Sequence, residues 1–146
     1  MIDIFKMQYA FLSNTHPVDI ELDGEIYPTL EHAFQASKTT NPEDRERIRM
    51  AKTPVSARSI GKKIVLRTGW DYSRVRVMET LLRVKFSNAE LQEKLALTVG
   101  EELVEGNSSH DQYWGKCNCV NHKGEGLNWL GRLLMKIRDE DKTPKA

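Results

Sequence analysis

The sequence predicts a mainly α-helical fold with a small β component, in which a short N-terminal hairpin precedes a helical bundle within one compact domain. Three observations support this prediction. Alternation of polar and apolar residues is confined to the N-terminal region, helix-capping residues recur before apolar runs of helical spacing, and 146 residues suit a single core. The chain is 39% hydrophobic and 29% charged, which is typical of globular proteins rather than disordered or membrane-spanning chains.

The hairpin is predicted directly after Pro17. Apolar and acidic residues alternate over positions 18–22, and Asp23-Gly24 then supplies a two-residue turn before a second short strand over positions 25–27.

Six helices follow from capping residues and apolar spacing. They are expected from Thr29 to about Thr39, from Asn41-Pro42, from Thr53-Pro54 to about Lys63, from Asp71 or Ser73 through Phe86, from Asn88 to Gly100, and from Leu127 through Ile137. Between the last two lies a polar connection, residues 105–126, of a length that is usually functional or disordered. Tyr113, Trp114 and Cys117 favour an ordered segment. We place the domain at residues 1–138 and a charged tail at residues 139–146.

The charge balance excludes binding of nucleic acid through the net charge of the whole chain. Twenty-two basic residues against 21 acidic ones give a net charge of +1, so any site for a polyanion must be local. No apolar stretch is long enough to cross a membrane and the N-terminus does not resemble a secretion signal, so we expect a cytoplasmic protein with no membrane partner. Oligomeric state is not predicted.

The first candidate site lies on the helix after Thr29. At about 100° per residue, Glu31, Gln35 and Lys38 share one face, which presents a carboxylate, an amide and an ammonium together. Spacing alone favours a solvated face with an ordinary Glu-to-Lys pair. The alternative is a catalytic face, on which Glu31 would need partial burial to act as a base near neutral pH.

Aromatic and basic residues give two further candidates. Asp111 and Trp114 suit a loop that stacks on a planar ligand, although a turn-forming Asp and a core Trp fit equally well. Trp70 likewise suits either ligand stacking or core packing. Arg58 and Lys62 lie four residues apart, a spacing that suits a phosphate grip or a solvated basic face. No Walker or dinucleotide-binding glycine motif is present.

The two cysteines raise the question of a metal. Cys117 and Cys119 are separated by one residue, with His122 downstream and His110 upstream, whereas structural zinc sites usually have two to four residues between paired cysteines. We therefore expect no metal and no cofactor, and keep zinc on Cys117, Cys119 and His122 as the less favoured alternative.

Several segments, in this order, resemble the NADAR (NAD- and ADP-ribose-associated) domain family, also called YbiA-like. They span about Phe11 to Arg138 and are Phe11-Leu12-Ser13-Asn14, Tyr27-Pro28-Thr29-Leu30-Glu31-His32-Ala33-Phe34-Gln35-Ala36-Ser37-Lys38, Ala57-Arg58-Ser59-Ile60-Gly61, Trp70, Lys85-Phe86, Leu103-Val104-Glu105, Asp111-Gln112-Tyr113-Trp114-Gly115 and Gly126-Leu127-Asn128-Trp129-Leu130-Gly131-Arg132-Leu133-Leu134-Met135. The family fold is mostly helical with a small β component. One departure is Thr15-His16, where the family usually has an aromatic residue after Ser-Asn.

The resemblance implies an N-glycosidase that hydrolyses the bond between a ribose and a base-like nitrogen. Family substrates are early riboflavin-pathway intermediates, such as ribosylaminopyrimidine phosphates, or ADP-ribosylated guanine. Glu31 matches the catalytic glutamate, and Trp70, Asp111 and Trp114 match other pocket positions. We expect Glu31 and Asp111 to be catalytic. The residues expected to bind substrate are Trp70, Trp114, Lys38, Gln35, Asn14, Arg58, Lys62 and Asn128.

Two alternative hypotheses assign the chain to functional classes other than enzymes. One is a non-catalytic module that binds ADP-ribose or a related nucleotide, and the other is a zinc-stabilised interaction domain. The expected partner is a phosphorylated nucleoside-like or ADP-ribosyl small molecule, and ADP-ribosylated nucleic acid is also open as a substrate.

Overall fold

The computed structural model describes residues 1–140 and confirms a mainly helical fold with a small β component. Contacts divide the chain into two compact units: Asn14–Lys85 form one, and Met1–Ser13 with the chain from Phe86 form the other. Among the described residues, no helix combines the length and apolar character needed to cross a membrane. Of the predicted tail, Asp139 and Glu140 belong to a helix, and residues 141–146 lie outside the described part.

The unit of residues 14–85 begins with the predicted hairpin. Strand β1 (Pro17–Leu22) pairs antiparallel with β2 (Glu25–Thr29). Asp23 and Gly24 have φ values of 51° and 83°, so both adopt the left-handed conformation that two-residue hairpin turns require. Ile20 faces Tyr27 across the pair and both side chains are buried, which fixes the register.

Four helices complete this unit: α1 (Leu30–Ala36), α2 (Pro42–Arg49), α3 (Pro54–Gly61) and α4 (Trp70–Lys85). The side chains of Thr29, Asn41 and Thr53 accept backbone N–H bonds at the first three N-termini, as predicted. Helix α1 ends three residues before the predicted Thr39, because the last backbone bonds span three residues and tighten the chain into a turn.

In the other unit, a short 3-10 helix (Met7–Leu12) that the sequence did not indicate precedes α5 (Ala89–Ala96) and α6 (Trp129–Glu140). Asn88 caps α5 as predicted. The helix ends at Ala96 rather than Gly100, because the following residues form three-residue turns.

The polar connection of residues 105–126 is folded back on itself. Strand β3 (Gly106–Asn107) pairs in parallel with β4 (Lys116–Cys117), and Cys117 also bridges Glu125. This segment therefore has its own backbone hydrogen bonds, which holds its aromatic, histidine and cysteine side chains in defined positions.

Candidate active site

Helix α1 is held at its N-terminus by a reciprocal contact between Thr29 and His32. The Thr29 hydroxyl accepts the His32 backbone N–H at 3.1 Å and lies 2.7 Å from His32 Nδ1. His32 Nε2 lies 3.0 Å from the carbonyl oxygen of Ala51, which only accepts, so Nε2 carries the proton and Nδ1 accepts from Thr29. His32 is therefore a satisfied structural histidine that fixes the helix carrying Glu31.

Glu31 is buried, with 6% of the residue exposed. Its Oε1 accepts hydrogen bonds from Gln35 Nε2 at 2.9 Å and from Arg58 Nε at 3.1 Å. The first partner is one helical turn away on α1, and the second comes from α3. The solvated-face interpretation is therefore wrong for Glu31, because a buried carboxylate with an arginine partner is a positioned charge rather than a solvated one.

Further positive charge surrounds this carboxylate. Burial lowers the pKa of the Lys38 ammonium below its ordinary value, and the Glu31 carboxylate opposes that effect. The charges of Lys62 and Arg58 act in the same direction as burial, which places all three cations near one another. Arg58 and Lys62 remain exposed, so the cationic groups border solvent while the carboxylate lies below them.

Two buried amide oxygens near Glu31 have no hydrogen-bond partner: Gln35 Oε1 and Asn14 Oδ1. Gln35 donates to the Glu31 carboxylate, and the backbone oxygen of Asn14 accepts the Glu31 N–H at 3.0 Å. Buried polar atoms without a partner are rare and cost stability, so both oxygens are unsatisfied acceptors beside Glu31.

Gly61 allows α3 to approach α1 closely at this point. A Cβ at Gly61 would overlap Gln35 Oε1 and lie 2.9 Å from its Cδ. Only glycine leaves room for the Gln35 amide in the position from which it reaches Glu31.

Trp70 is largely buried at the start of α4. Its ring lies 5.3 Å from that of Phe34 between centroids, and the Arg67 guanidinium lies 5.8 Å from its centroid. With 6% of the residue exposed, Trp70 packs mainly as a core residue, and stacking of a ligand on its ring stays a prediction.

Asp111 and Trp114 lie in the unit that contains α5 and α6. Asp111 Oδ1 accepts the backbone N–H groups of Tyr113 and Trp114 at 3.0 and 2.9 Å. This is the turn-forming role that was one of the two interpretations of the sequence. The Trp114 ring meets Tyr113 edge-on at 4.9 Å and is half-buried. Asp111 Oδ2 is the oxygen left for a catalytic role, which stays a prediction.

Asn128, expected to bind substrate, occupies a structural position. Its Oδ1 accepts the Glu105 N–H at 2.9 Å and its Nδ2 donates to the Leu103 carbonyl at 3.0 Å. Both ends of the amide therefore hold backbone, and its φ of 54° is the left-handed conformation that asparagine tolerates before α6.

Lys85 is a titratable residue that the sequence did not indicate as a site residue, although Lys85-Phe86 belongs to the family pattern. Lys85 is 1% exposed at the end of α4, and burial lowers the pKa of its ammonium to about 7. Burial of a lysine cannot be inferred from its neighbours in sequence. Strongly shifted pKa values are enriched at functional sites.

The histidines and cysteines of residues 110–122 converge. One ligand atom from each of His110, Cys117, Cys119 and His122 lies within 4.8 Å of the others. Burial raises the pKa of both thiols, but hydrogen bonds outweigh it and leave each pKa below its ordinary value; for Cys117 they come from the Cys119 backbone and the His122 side chain. The sequence left open whether the histidines reach the cysteines. In the structure they lie close enough to share one metal ion with them.

Comparison with known proteins agrees with the fold. The family model for the NADAR domain matches residues 4–140. N-glycosidase YbiA of Escherichia coli is 38% identical over 90% of this chain and 81% of its own length. The NMR structure of E. coli YbiA superposes with a TM-score of 0.77, covering 94% of this chain and 84% of that one at 37% identity.

A plant relative is longer. The maize chloroplastic riboflavin biosynthesis protein PYRR is 37% identical over 90% of this chain, which spans 23% of the length of that protein. The mainly helical fold and the match over residues 4–140 define a NADAR domain. This chain belongs to the NADAR family, and its relatives of similar length include proteins named N-glycosidase.

Proposed function

We propose that this chain, a hydrolase of the N-glycosidase class, cleaves the C–N bond between a ribose and a base-like group in a phosphorylated ribosyl substrate. The observation that carries the proposal is the buried Glu31 carboxylate bordered by Arg58 and Lys38. Such a site combines a negative charge for the sugar with positive charges for a phosphate. A cytoplasmic location remains a prediction.

The reaction places particular demands on Glu31. Cleavage of a ribosyl C–N bond develops positive charge on the sugar, and a carboxylate stabilises that charge or accepts a proton from the attacking water. Water supplies the oxygen that bonds to the anomeric carbon, and the departing nitrogen takes up a proton. Hydrogen bonds from Gln35 and Arg58 hold Glu31 Oε1, which leaves Oε2 to face the substrate.

The neighbouring groups suit the remainder of the substrate. The unpartnered oxygen of Asn14 is an acceptor for a ribose hydroxyl, and Lys38, Arg58 and Lys62 are cations for phosphate. Asp111 is proposed to protonate the leaving group, and Trp114 to stack on its ring.

Among phosphorylated ribosyl compounds, we favour a ribosylaminopyrimidine phosphate of the riboflavin pathway. Two relatives carry riboflavin biosynthesis in their names, one from maize and one from Vibrio vulnificus that is 33% identical over 90% of this chain. The chain spans 35% of the Vibrio protein's length.

Product analysis by mass spectrometry tests the proposal. Wild-type protein should release ribose 5-phosphate from the ribosylaminopyrimidine phosphate, and Glu31→Gln should lower kcat by about 100-fold or more, since removal of a group that assists proton transfer typically costs that much. Glu46→Gln is the matched control, because Glu46 pairs with Arg49 on exposed α2 and should leave the rate unchanged.

A second substrate separates the alternatives. Release of ADP-ribose from ADP-ribosylated guanosine, with no cleavage of the pyrimidine compound, would replace the substrate proposed here. Equal, tight binding of ADP-ribose by wild type and Glu31→Gln with no cleavage of either compound would overturn the enzyme proposal in favour of a binding module.

A further inference from the structure

The segment that joins β3 to β4 and continues to α6 carries a cluster of metal-binding side chains outside the Glu31 site. Four side chains from residues 110–122 converge there: His110, Cys117, Cys119 and His122. Among the described residues this is the one group of at least three such side chains close enough to share an ion. We propose that these four residues bind a structural zinc ion.

The donor set selects the metal. Two thiolate sulfurs and two imidazole nitrogens are the ligands that zinc takes in closed, four-coordinate sites, whereas calcium and magnesium require oxygen. Four protein ligands fill a tetrahedral shell and leave no position for water or substrate. The ion therefore has a structural rather than a catalytic role.

Interatomic distances agree with a tetrahedral arrangement. Cys119 Sγ lies 3.2 Å from His122 Nδ1 and 3.5 Å from His110 Nδ1. Zn–S and Zn–N bonds of about 2.3 and 2.0–2.1 Å place sulfur and nitrogen about 3.6 Å apart across a tetrahedron. All four ligand atoms lie within 4.8 Å of one another, so small rotamer shifts bring them to bonding distance of one ion.

Backbone hydrogen bonds already hold the ligands in place. The N–H groups of His122 and Lys123 donate to the Cys119 carbonyl at 3.1 and 2.9 Å, which forms a tight turn between two ligands. Cys117 is tied on both sides, because its N–H donates to the Glu125 carbonyl at 3.0 Å and its carbonyl accepts from Gly124 at 2.7 Å. The metal site is thus pre-organised by the chain that carries it.

His110 reaches the cluster through an unfavourable backbone conformation. Its φ is 72°, in the left-handed region that costs a non-glycine residue of order 1 kcal/mol or more. The Asn107 side chain stabilises this turn by accepting the Asp111 N–H at 3.1 Å and donating to the Asp111 carbonyl at 2.9 Å. A bond from His110 to zinc accounts for a conformation that is otherwise strained.

The site has a consequence for the neighbouring loop. His110 directly precedes Asp111, whose carboxylate orders the backbone of Tyr113 and Trp114. Zinc would join the two ends of this loop and limit its motion. This inference is independent of the proposed reaction, since it concerns a different set of side chains.

Cobalt titration of the reduced, metal-free full-length chain tests the proposal. Co²⁺ should give the intense visible bands of a tetrahedral site and a thiolate-to-cobalt charge-transfer band, with displacement by one equivalent of Zn²⁺. Cys119→Ser and His122→Ala should each weaken zinc affinity at least 100-fold. His16→Ala is the matched control, since it removes an imidazole outside the cluster and should leave the affinity unchanged.

Protection from alkylation supplies a second readout that does not require a folded variant. In the wild-type chain, one equivalent of Zn²⁺ should slow the reaction of Cys119, the partly exposed thiol, with iodoacetamide, and a chelator should restore it and lower the melting temperature. Absence of a thiolate band together with unchanged alkylation would overturn the proposal. So would zinc affinity in Cys119→Ser equal to that of the wild type.

Discussion

Arg58 donates from Nε to Glu31 Oε1 across 3.1 Å, although the two lie 27 positions apart in sequence. The arginine side chain is 45% exposed and the glutamate side chain 8% exposed, so the arginine lies at the surface and its partner carboxylate is buried. The same carboxylate oxygen also accepts from Gln35. These contacts fix the direction in which Glu31 presents its other oxygen.

Arg58→Ala should therefore impair the enzyme more than an exposed charge change does. Loss of a hydrogen bond to a charged group costs about 1.5–3 kcal/mol, which corresponds to roughly a 10- to 100-fold fall in kcat/KM. Steady-state kinetics on the ribosylaminopyrimidine phosphate measures this. Arg47→Ala, which breaks an exposed pair with Asp44 one turn away on α2, should keep wild-type kinetics. Equal kinetics for the two variants would contradict the role of Arg58.

Asp111 has two separable roles, and Asp111→Asn distinguishes them. Asparagine keeps the oxygen that accepts the N–H groups of Tyr113 and Trp114, but it cannot supply an acidic proton. We expect Asp111→Asn to melt close to the wild-type temperature and to lose at least tenfold in kcat. Asp111→Ala should also lower the free energy of unfolding by about 1–3 kcal/mol, because it orphans both amides. Full turnover in Asp111→Asn would show a turn-forming role alone.

Gly61→Ala should disturb the site through Gln35. The added methyl overlaps Gln35 Oε1, so the amide must move and its bond to Glu31 must break. We expect a loss of about 1–3 kcal/mol in the free energy of unfolding by urea, as for other overpacked sites. A double-mutant cycle with Gln35→Ala isolates the contact, because the second change removes the obstructing amide. Strict additivity of the two changes would exclude a direct clash.

Lys85 predicts a pH dependence of stability. Its folded-state pKa is about 7 against an ordinary value of 10.5, so between these values the unfolded chain binds more protons than the folded one. The free energy of unfolding should therefore rise with pH through this window, by up to about 1.4 kcal/mol per unit from this group. Below about pH 7 both states are protonated and the contribution is flat.

Urea unfolding of the wild type and of Lys85→Met at pH 6, 7, 8 and 9 measures this effect. The quantity compared is the free energy of unfolding of the variant minus that of the wild type. The variant should gain most over the wild type at pH 6, and the gain should shrink as the pH rises, since the cost of charging the buried amine then disappears. Lys52→Met is the matched control at an exposed position and should show a constant difference. A constant difference for Lys85→Met would refute the shifted pKa.

Features encoded over a few residues were predicted from sequence alone. The Asp23-Gly24 turn follows from local backbone preference, and Thr29, Asn41, Thr53 and Asn88 cap helices through bonds to residues two or three positions ahead. Helical spacing placed Glu31, Gln35 and Lys38 on one face, but the prediction that Glu31 is catalytic came from the family resemblance. Helix ends were less accurate, as at Ala36, because the final turns tighten through bonds that apolar spacing does not report.

Only the tertiary structure decided which of these groups are buried and which distant groups they meet. Glu31 lies below the surface beside Arg58 because α1 and α3 pack closely at Gly61, and Lys85 is buried although its neighbours in sequence give no sign of it. His110 reaches Cys119, nine positions away, because the chain between them folds back on itself. Burial and long-range proximity depend on packing between elements, whereas capping and periodicity are properties of each element alone.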